Sequence, residues 1–318
     1  MSRPHVAILT RHDDFHAYVV RKVLTERSVR CSVILTDRIA SVGGLCWDGQ
    51  AGSVPGRVCD VDGEVVEVRN VDVIWFRRMT GEPQFPAGLR DEEAADLIVN
   101  DCRASLFGLL LTEFTGTWIS HPEATRTAQN KLVQLRAAQQ VGLRVPRTLV
   151  SQDPEVVRHF CERGAKQVIV KTVAGSQETP VMTGFVTPEL LVDADISLSP
   201  AIYQEYVPGS DHLRVCCFGD EVCSALLRTD ALDWRYPLRA EVRPYRLDDR
   251  TAERLVAVIT ALGLRMGIVD MKLAPDGEPV WLELNPQGQF MFLEGMSRNL
   301  TLTRSFTRFL IEECRPTA

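Results

Sequence analysis

The stretch that decides the fold reads Gly267-Ile-Val-Asp-Met-Lys-Leu-Ala-Pro-Asp-Gly-Glu-Pro-Val-Trp-Leu-Glu-Leu-Asn-Pro-Gln-Gly288. Two β-type runs flank Asp276-Gly277, and an Asp-Gly pair in that position is the strongest short-range signal for a β-hairpin. If these two residues form the loop, Asp270 lies directly opposite Glu283. Asn285 follows two residues later and therefore shares one face of the sheet with Glu283.

Two carboxylates that face each other across a hairpin repel one another. Their Cβ atoms are expected about 5 Å apart, and at an effective dielectric constant of about 20 the repulsion is roughly 3 kcal/mol. A divalent cation removes this cost, and two carboxylates with an amide form an all-oxygen donor set that suits Mg²⁺. We therefore predict that Asp270, Glu283 and Asn285 bind Mg²⁺. The alternative is that Lys272, on the same face, bridges both carboxylates. A loop of three residues instead of two would shift the strand register and would undo the predicted pairing of Asp270 with Glu283.

Lysine is scarce in this chain, with five among 36 Lys and Arg residues. Lys171 interrupts an apolar strand predicted at 168–173, where a lysine needs an anionic partner such as a polyphosphate. Lys131 opens a predicted helix behind Asn130, where a cation is unfavourable unless an anion lies nearby. Surface lysines with solvated ammonium groups are the alternative for each. The polar loop 175–179 is predicted to cover the phosphates and to act as a lid.

Composition and charge exclude several classes of protein. The formal net charge is −6, which argues against a general nucleic-acid binder. No apolar run approaches the ~20 residues of a membrane span, and the first strand runs straight into Arg11, His12 and Asp13, unlike a signal peptide. Nine cysteines without a CxxC pair are typical of reduced thiols. We expect a cytoplasmic protein without nucleic-acid or membrane partners, and leave monomer and homodimer open.

The order of predicted elements indicates α/β structure followed by α+β structure. The first domain, 1–120, begins with a strand at 6–10 and a helix at 15–24 capped by Asp13 or Asp14. No GxGxxG follows that strand, which disfavours a Rossmann dinucleotide site. Composition shifts at Ser120-His121-Pro122, so we predict a central subdomain, 121–202, with both lysines and a strand at 181–186. The C-terminal subdomain, 203–318, carries the metal site.

Together these features resemble the ATP-grasp superfamily of carboxylate ligases. The apolar strand that begins at Tyr203 stops at Pro208-Gly209, like an interdomain connector whose free backbone edge pairs with an adenine ring. A closer similarity, to the ATP-grasp maturases of ribosomal peptides (microviridin and graspetide type), covers nearly the whole chain. It rests on Trp75-Phe-Arg-Arg78, His121-Pro-Glu-Ala-Thr125, Asn130-Lys-Leu-Val-Gln-Leu135 and Asn285-Pro-Gln-Gly-Gln-Phe290.

The resemblance implies an ATP-grasp fold: an N-terminal α/β (pre-ATP-grasp) domain, a small central lid domain and a C-terminal mixed-sheet domain. It also implies roles for individual residues. Lys131 and Lys171 would bind ATP phosphates, and Arg214 would contact the γ-phosphate or an acyl phosphate. The family commonly has an acidic ribose ligand two residues before this arginine; here the contact belongs to Asp211 or His212. The backbone of Glu205, Tyr206 and Val207 would hold adenine, and Gln204 would belong to the same cofactor-binding hinge. Asp270, Glu283 and Asn285 would bind Mg²⁺.

The implied reaction activates a carboxylate as an acyl phosphate and joins it to a hydroxyl or an amine. The substrate would be a ribosomally made precursor peptide, cross-linked by esters or amides. The alternatives are a ligase for small carboxylates such as amino acids or dipeptides, and a non-catalytic peptide-binding protein. Arginines at Arg77-Arg78 and along 235–250 could recognise an acidic substrate. Among them Arg235, beside Asp233-Trp234, is predicted to reach the site.

Overall fold

A computed structural model describes residues 3–50, 54–79, 85, 92–163, 167–174, 181–234 and 240–314. The chain divides into two compact units, one made of Met1–Pro122 with Leu302–Ala318 and the other of Glu123–Thr301. Both α/β and α+β parts are present, as predicted. The last helix belongs to the first unit, and the division into three domains stays a prediction.

The first unit is built on a parallel sheet with the strand order β2-β1-β5-β6. Its central strands are fully buried, because helices cover a parallel sheet on both faces and its strands read as continuous apolar runs. The elements are β1 (His5–Thr10), α1 (Phe15–Glu26), β2 (Arg30–Leu35), α2 (Ile39–Val42), β3 (Arg57–Cys59), β4 (Val65–Glu67), β5 (Val73–Phe76), α3 (Glu92–Glu113), β6 (Thr117–Ile119) and α10 (Leu302–Glu313).

A buried ion pair closes the carboxyl edge of this sheet. Asp14 caps α1 by accepting a hydrogen bond from the backbone of His16, and it accepts another from Nε of Arg77 at 2.6 Å. Arg77 directly follows β5 and is 0 % exposed. Strand order reverses beside β1, which is where open α/β sheets usually bind ligands. Here the ion pair fills that place, so Arg77 is structural and the hypothesis that it recognises substrate is corrected.

The second unit contains two antiparallel sheets, with the orders β7-β10-β8-β9 and β13-β12-β11-β14-β15. Helices α5 and α8 pack on the five-stranded sheet and close its apolar core. The elements are α4 (Pro122–Ala128), α5 (Lys131–Gln140), β7 (Thr148–Ser151), α6 (Pro154–Glu162), β8 (Val168–Thr172), β9 (Gly184–Phe185), α7 (Asp193–Leu198), β10 (Ala201–Glu205), β11 (Asp211–Phe218), β12 (Glu221–Arg228), β13 (Glu241–Tyr245), α8 (Asp249–Ala261), β14 (Met266–Leu273), β15 (Pro279–Asn285) and α9 (Met291–Met296).

Two predictions for this unit need correction. The strand predicted at 181–186 is only the two-residue β9. The arginine-rich stretch 235–250, in which no strand was predicted, contains β13 and the first residues of α8. Because β13 is an edge strand, its charged residues and Pro244 are compatible with the sheet.

The decisive hairpin has a different loop from the one predicted. The N–H of Gly277 donates to the carbonyl of Ala274 (2.8 Å) and the N–H of Ala274 to that of Glu278 (3.0 Å), so the loop has three residues. Gly277 takes the left-handed conformation (φ 81°) that such a loop requires. A β-bulge between Asp270 and Met271 then restores the register. Asp270 therefore does pair with Glu283, as predicted, although the two-residue loop behind that prediction was wrong.

Candidate functional site

One cavity of about 280 Å³ in the second unit collects most of the predicted site residues. It is lined by side chains and backbone from β8, β10, β11, β14, β15 and the start of α5. The predicted residues along it are Lys131, Lys171, Gln204, Glu205, Tyr206, Val207, His212, Asp270 and Glu283. Arg214, Asp211 and Asn285 are not among its lining residues. Arg235 and the predicted lid loop 175–179 lie outside the described residues.

Lys131 reaches this cavity because α5 begins beside β15. Asn130 caps the helix, its side chain accepting from the N–H groups of Leu132 and Val133. One turn later the buried side chain of Gln134 donates to the carbonyl of Leu284 and accepts from its N–H, both at 2.8 Å. These two hydrogen bonds hold the start of α5 against β15. The ammonium of Lys131 donates to the carbonyl of Thr172 (3.0 Å) and lies 3.9 Å from Glu283.

Lys171 is oriented by two consecutive hydrogen bonds that involve neutral side chains. Its Nζ donates to the side-chain carbonyl of Gln204 at 2.9 Å. The amide nitrogen of Gln204 in turn donates to the hydroxyl of Thr148 at 2.8 Å. Gln204 is 1 % exposed, so its amide orientation is set by these two contacts. Gln204 therefore fixes a cation of the cavity, a role that the sequence did not reveal.

The connector after β10 leaves few of its backbone N–H groups available to a ligand. The N–H of Glu205 donates to the carbonyl of Arg147, and that of Tyr206 to the carbonyl of Gln167. In the described part of the chain, the N–H of Val207 finds no acceptor. Val207 is therefore the backbone donor that remains for a planar heterocycle such as adenine.

The charge of Asp270 is balanced by a residue on the neighbouring strand. Arg214 donates from Nη1 to both carboxylate oxygens of Asp270, at 2.8 and 2.7 Å, and from Nη2 to the carbonyl of Gln289. Lys272 does not bridge the two carboxylates, so this alternative prediction is wrong. With Arg214 beside Asp270 and Lys131 beside Glu283, repulsion between the carboxylates does not by itself demand a metal ion, which corrects that part of the argument.

The donor set still suits a hard cation. Asn285 places its side-chain amide 3.5 Å from Asp270, next to Glu283 on the same strand. Within the described residues, no three His, Cys, Asp or Glu side chains are grouped so as to hold a metal ion alone. Mg²⁺ commonly uses one or two carboxylates and completes its shell with substrate phosphates. Two carboxylates and an amide oxygen therefore fit a metal ion that arrives with a nucleotide.

Asp211 and His212 point to different surroundings. Asp211 accepts from Nε and Nη2 of Arg228 at 2.7 and 2.8 Å, and these hydrogen bonds lower the pKa of its carboxyl. His212 is buried and lines the cavity. Burial, reinforced by the positive charge of Lys272, lowers the pKa of His212 to about 4, so the ring is neutral at pH 7. Burial likewise lowers the pKa of Lys272 to about 8.

An aromatic wall beside Arg214 was not foreseen. Trp234 lines the cavity and stacks on Phe292, with ring centroids 5.8 Å apart. The guanidinium carbon of Arg214 lies 5.4 Å from the centroid of Trp234, within cation–π range. The sequence placed Trp234 next to Arg235 but carried no signal that it would meet Phe292, because that contact depends on the tertiary fold.

Comparison with known families identifies this architecture. Residues 128–303, more than half of the chain, match the RimK-like ATP-grasp domain. The protein belongs to this family. It is an ATP-grasp ligase, and such ligases use ATP and Mg²⁺, which confirms the cofactor prediction. Comparison with curated proteins gives no match. None of the described helices combines the length and apolar character needed to span a lipid bilayer.

Solved ATP-grasp structures match along the whole chain. The macrocyclase MdnC of Microcystis aeruginosa MRC, bound with precursor peptide MdnA, shares 26% identity over 97% of this chain and 99% of its own, with a TM-score of 0.83. The ATP-grasp ligase PsnB, complexed with a minimal precursor, Mg and ADP, shares 25% over 99% of both chains (TM-score 0.79). A RiPP-associated ligase of Chryseobacterium gregarium shares 19% over 98% and 97% (TM-score 0.86) and supports the fold alone.

Proposed function

We propose that this ATP-grasp ligase activates a side-chain carboxylate of a ribosomally made precursor peptide and joins it to a hydroxyl or amine of the same peptide. The observation that carries the proposal is one cavity in which Lys131 and Lys171 meet Asp270 and Glu283. The full-length similarity to a macrocyclase solved with its precursor peptide favours a peptide substrate. Nine free cysteines support a reducing, cytoplasmic location.

In this proposal Lys131 and Lys171 bind the phosphates of ATP, and the connector Glu205–Val207 holds the adenine. His212 contacts the ribose, since Asp211 is already paired with Arg228. Asp270, Glu283 and Asn285 bind Mg²⁺, which when bound neutralises charge on the phosphate oxygens. Arg214 has a buried Nε without a partner in the described chain, and we assign this residue a contact to a phosphate oxygen.

The proposed reaction consists of two successive displacement steps. An oxygen of the peptide carboxylate attacks the γ-phosphorus, the bond to ADP breaks, and an acyl phosphate forms. A hydroxyl or amine then attacks the acyl carbon, loses its proton, and inorganic phosphate leaves. The peptide loses the elements of one water for each link. Positioning and charge neutralisation supply the catalysis, so no covalent enzyme intermediate is required.

The test incubates the protein with ATP, Mg²⁺ and a candidate precursor, namely a short peptide encoded next to this gene and rich in Thr, Ser, Lys, Glu and Asp. We expect release of ADP and loss of the mass of one water per link. Mild alkali distinguishes the links, because esters hydrolyse and amides persist. A gain of one residue mass would instead identify a small-molecule ligase, and absence of ADP release with every acceptor would identify a non-catalytic binding protein.

A further inference from the structure

Among the residues that the structure describes, Lys272 is a buried cation that has no counter-ion. It lies on β14 and is 3 % exposed. In the described part of the chain its ammonium has no hydrogen-bond or ion-pair partner; it lies 4.7 Å from the ring centroid of Tyr206. Burying an unpaired charge is costly. Such a residue therefore points to a ligand that supplies the missing negative charge.

Three of the carboxylates at or beside this cavity are already matched with other cations, and two more, Glu205 and the buried Asp233, also line it. Asp270 is held by Arg214, Glu283 lies beside Lys131, and Asp211 is held by Arg228. His212, directly opposite Lys272 in the β11–β14 register, carries no negative charge. Among the described residues, no carboxylate forms an ion pair with Lys272, whose side chain lines the cavity.

We propose that Lys272 is a third phosphate-binding lysine of the cavity, and that it holds the phosphate next to the ribose of the bound nucleotide. This inference rests on the proposed nucleotide site. Lys131 lies at the carboxylate end, beside Glu283, whereas Lys272 shares its end with Tyr206 and His212, the proposed base and ribose contacts. The first anionic group of a nucleotide beyond the ribose is its 5′-phosphate.

The test compares adenosine, AMP and ADP as ligands of the full-length protein, using isothermal titration calorimetry without Mg²⁺. Lys272→Met keeps the length of the side chain and removes its charge, and Lys272→Arg keeps the charge. The same exchange at exposed Lys22, in the other unit, is the matched control. Thermal unfolding of each variant without nucleotide is measured in parallel.

We expect Lys272→Met to weaken AMP and ADP by the same factor, about 10-fold to 100-fold, as for loss of a charge-assisted hydrogen bond. Adenosine affinity should change less than about twofold, and Lys272→Arg should retain part of the AMP affinity. Without nucleotide, Lys272→Met should unfold at the same or a higher temperature, because an unpaired buried charge has been removed. Lys22→Met should match the wild type with every ligand.

Three results would overturn the inference. Equal weakening of adenosine and AMP would assign Lys272 to the base or to packing. Unchanged AMP and ADP affinities, with weaker binding of precursor peptide, would assign it to a substrate carboxylate. A lower unfolding temperature without nucleotide would make it structural. If the wild type itself binds no ADP, the proposed nucleotide site is wrong. If the wild type binds ADP and Lys272→Met binds it equally well, only the proposed role of Lys272 is wrong.

Discussion

Arg214 on β11 donates from Nη1 to both carboxylate oxygens of Asp270 on β14, across directly paired positions. The residue proposed to contact a phosphate therefore neutralises a residue proposed to bind Mg²⁺. Both side chains are about 8 % exposed, so the charges are shielded from water. If Arg214 contacts a phosphate and Asp270 binds Mg²⁺, as proposed, the two sites share this ion pair.

A double-mutant cycle measures the coupling between Arg214 and Asp270. Arg214→Met should lower the free energy of unfolding by roughly 3 kcal/mol, because it leaves a carboxylate buried without its partner. Asp270→Asn should also destabilise, but the double variant should recover about 1–3 kcal/mol relative to the sum. Urea unfolding without metal provides the values. Strict additivity would show that the ion pair contributes nothing specific.

The proposed metal ligands should be required for turnover, and their variants should remain folded under assay conditions. Asp270→Asn and Glu283→Gln should each lower ADP release at saturating ATP and Mg²⁺ by about 100-fold or more. Asp276→Asn, in the exposed loop of the same hairpin, is the control and should turn over normally. ADP release is followed with a coupled assay and the fold by circular dichroism. Normal turnover in Asp270→Asn and Glu283→Gln would remove the metal assignment.

The buried pair of Asp14 and Arg77 should stabilise the first unit. Asp14→Asn leaves Arg77 without its anion and should cost about 3–5 kcal/mol of unfolding free energy. The matched control is Asp13→Asn, since Asp13 pairs with Arg11 at 3.0 Å where both side chains are partly exposed. That exchange should cost less than about 1 kcal/mol. Similar costs for the two variants would contradict a structural role for Arg77.

Two buried histidines should make the protein sensitive to mild acid. Burial lowers the pKa of both His5 and His16 to about 4. Both are neutral in the fold but protonate near pH 6.5 when unfolded, so their stabilisation is complete above that pH and is lost as pH falls towards 4. At pH 5 each should have lost roughly 2 kcal/mol.

Thermal unfolding between pH 7.5 and 4.5 checks this pH dependence. His5→Gln and His16→Gln should each flatten the profile in this range. His159→Gln, at an exposed position on α6, should leave the profile unchanged. An unaltered profile in both buried variants would show that other groups govern the acid sensitivity.

Local patterns in the sequence predicted many elements and missed those without a local signature. Asp14 as a helix cap, Asn130 before α5 and the apolar strands of the parallel sheet are short-range features. β13 escaped prediction because an edge strand tolerates charges and Pro244, which hides the alternation of a strand. The hairpin differs from the prediction in two ways that cancel. One extra loop residue shifts the strand register, and one β-bulge shifts it back, so Asp270 pairs with Glu283 although the turn type was predicted wrongly.

The sequence by itself determined the fold class, the hairpin that carries Asp270 and Glu283, and the scarce lysines that reach the cavity. Spacing and residue type are enough for these because strand alternation and turn signals act over a few residues. Only the tertiary structure decided which cation meets which anion. Arg214 and Asp270 are 56 residues apart. The burial of Lys272 without an ion pair to any described carboxylate depends on how β10, β11 and β14 come together. Counter-charge and burial are properties of non-local packing, which no short pattern encodes.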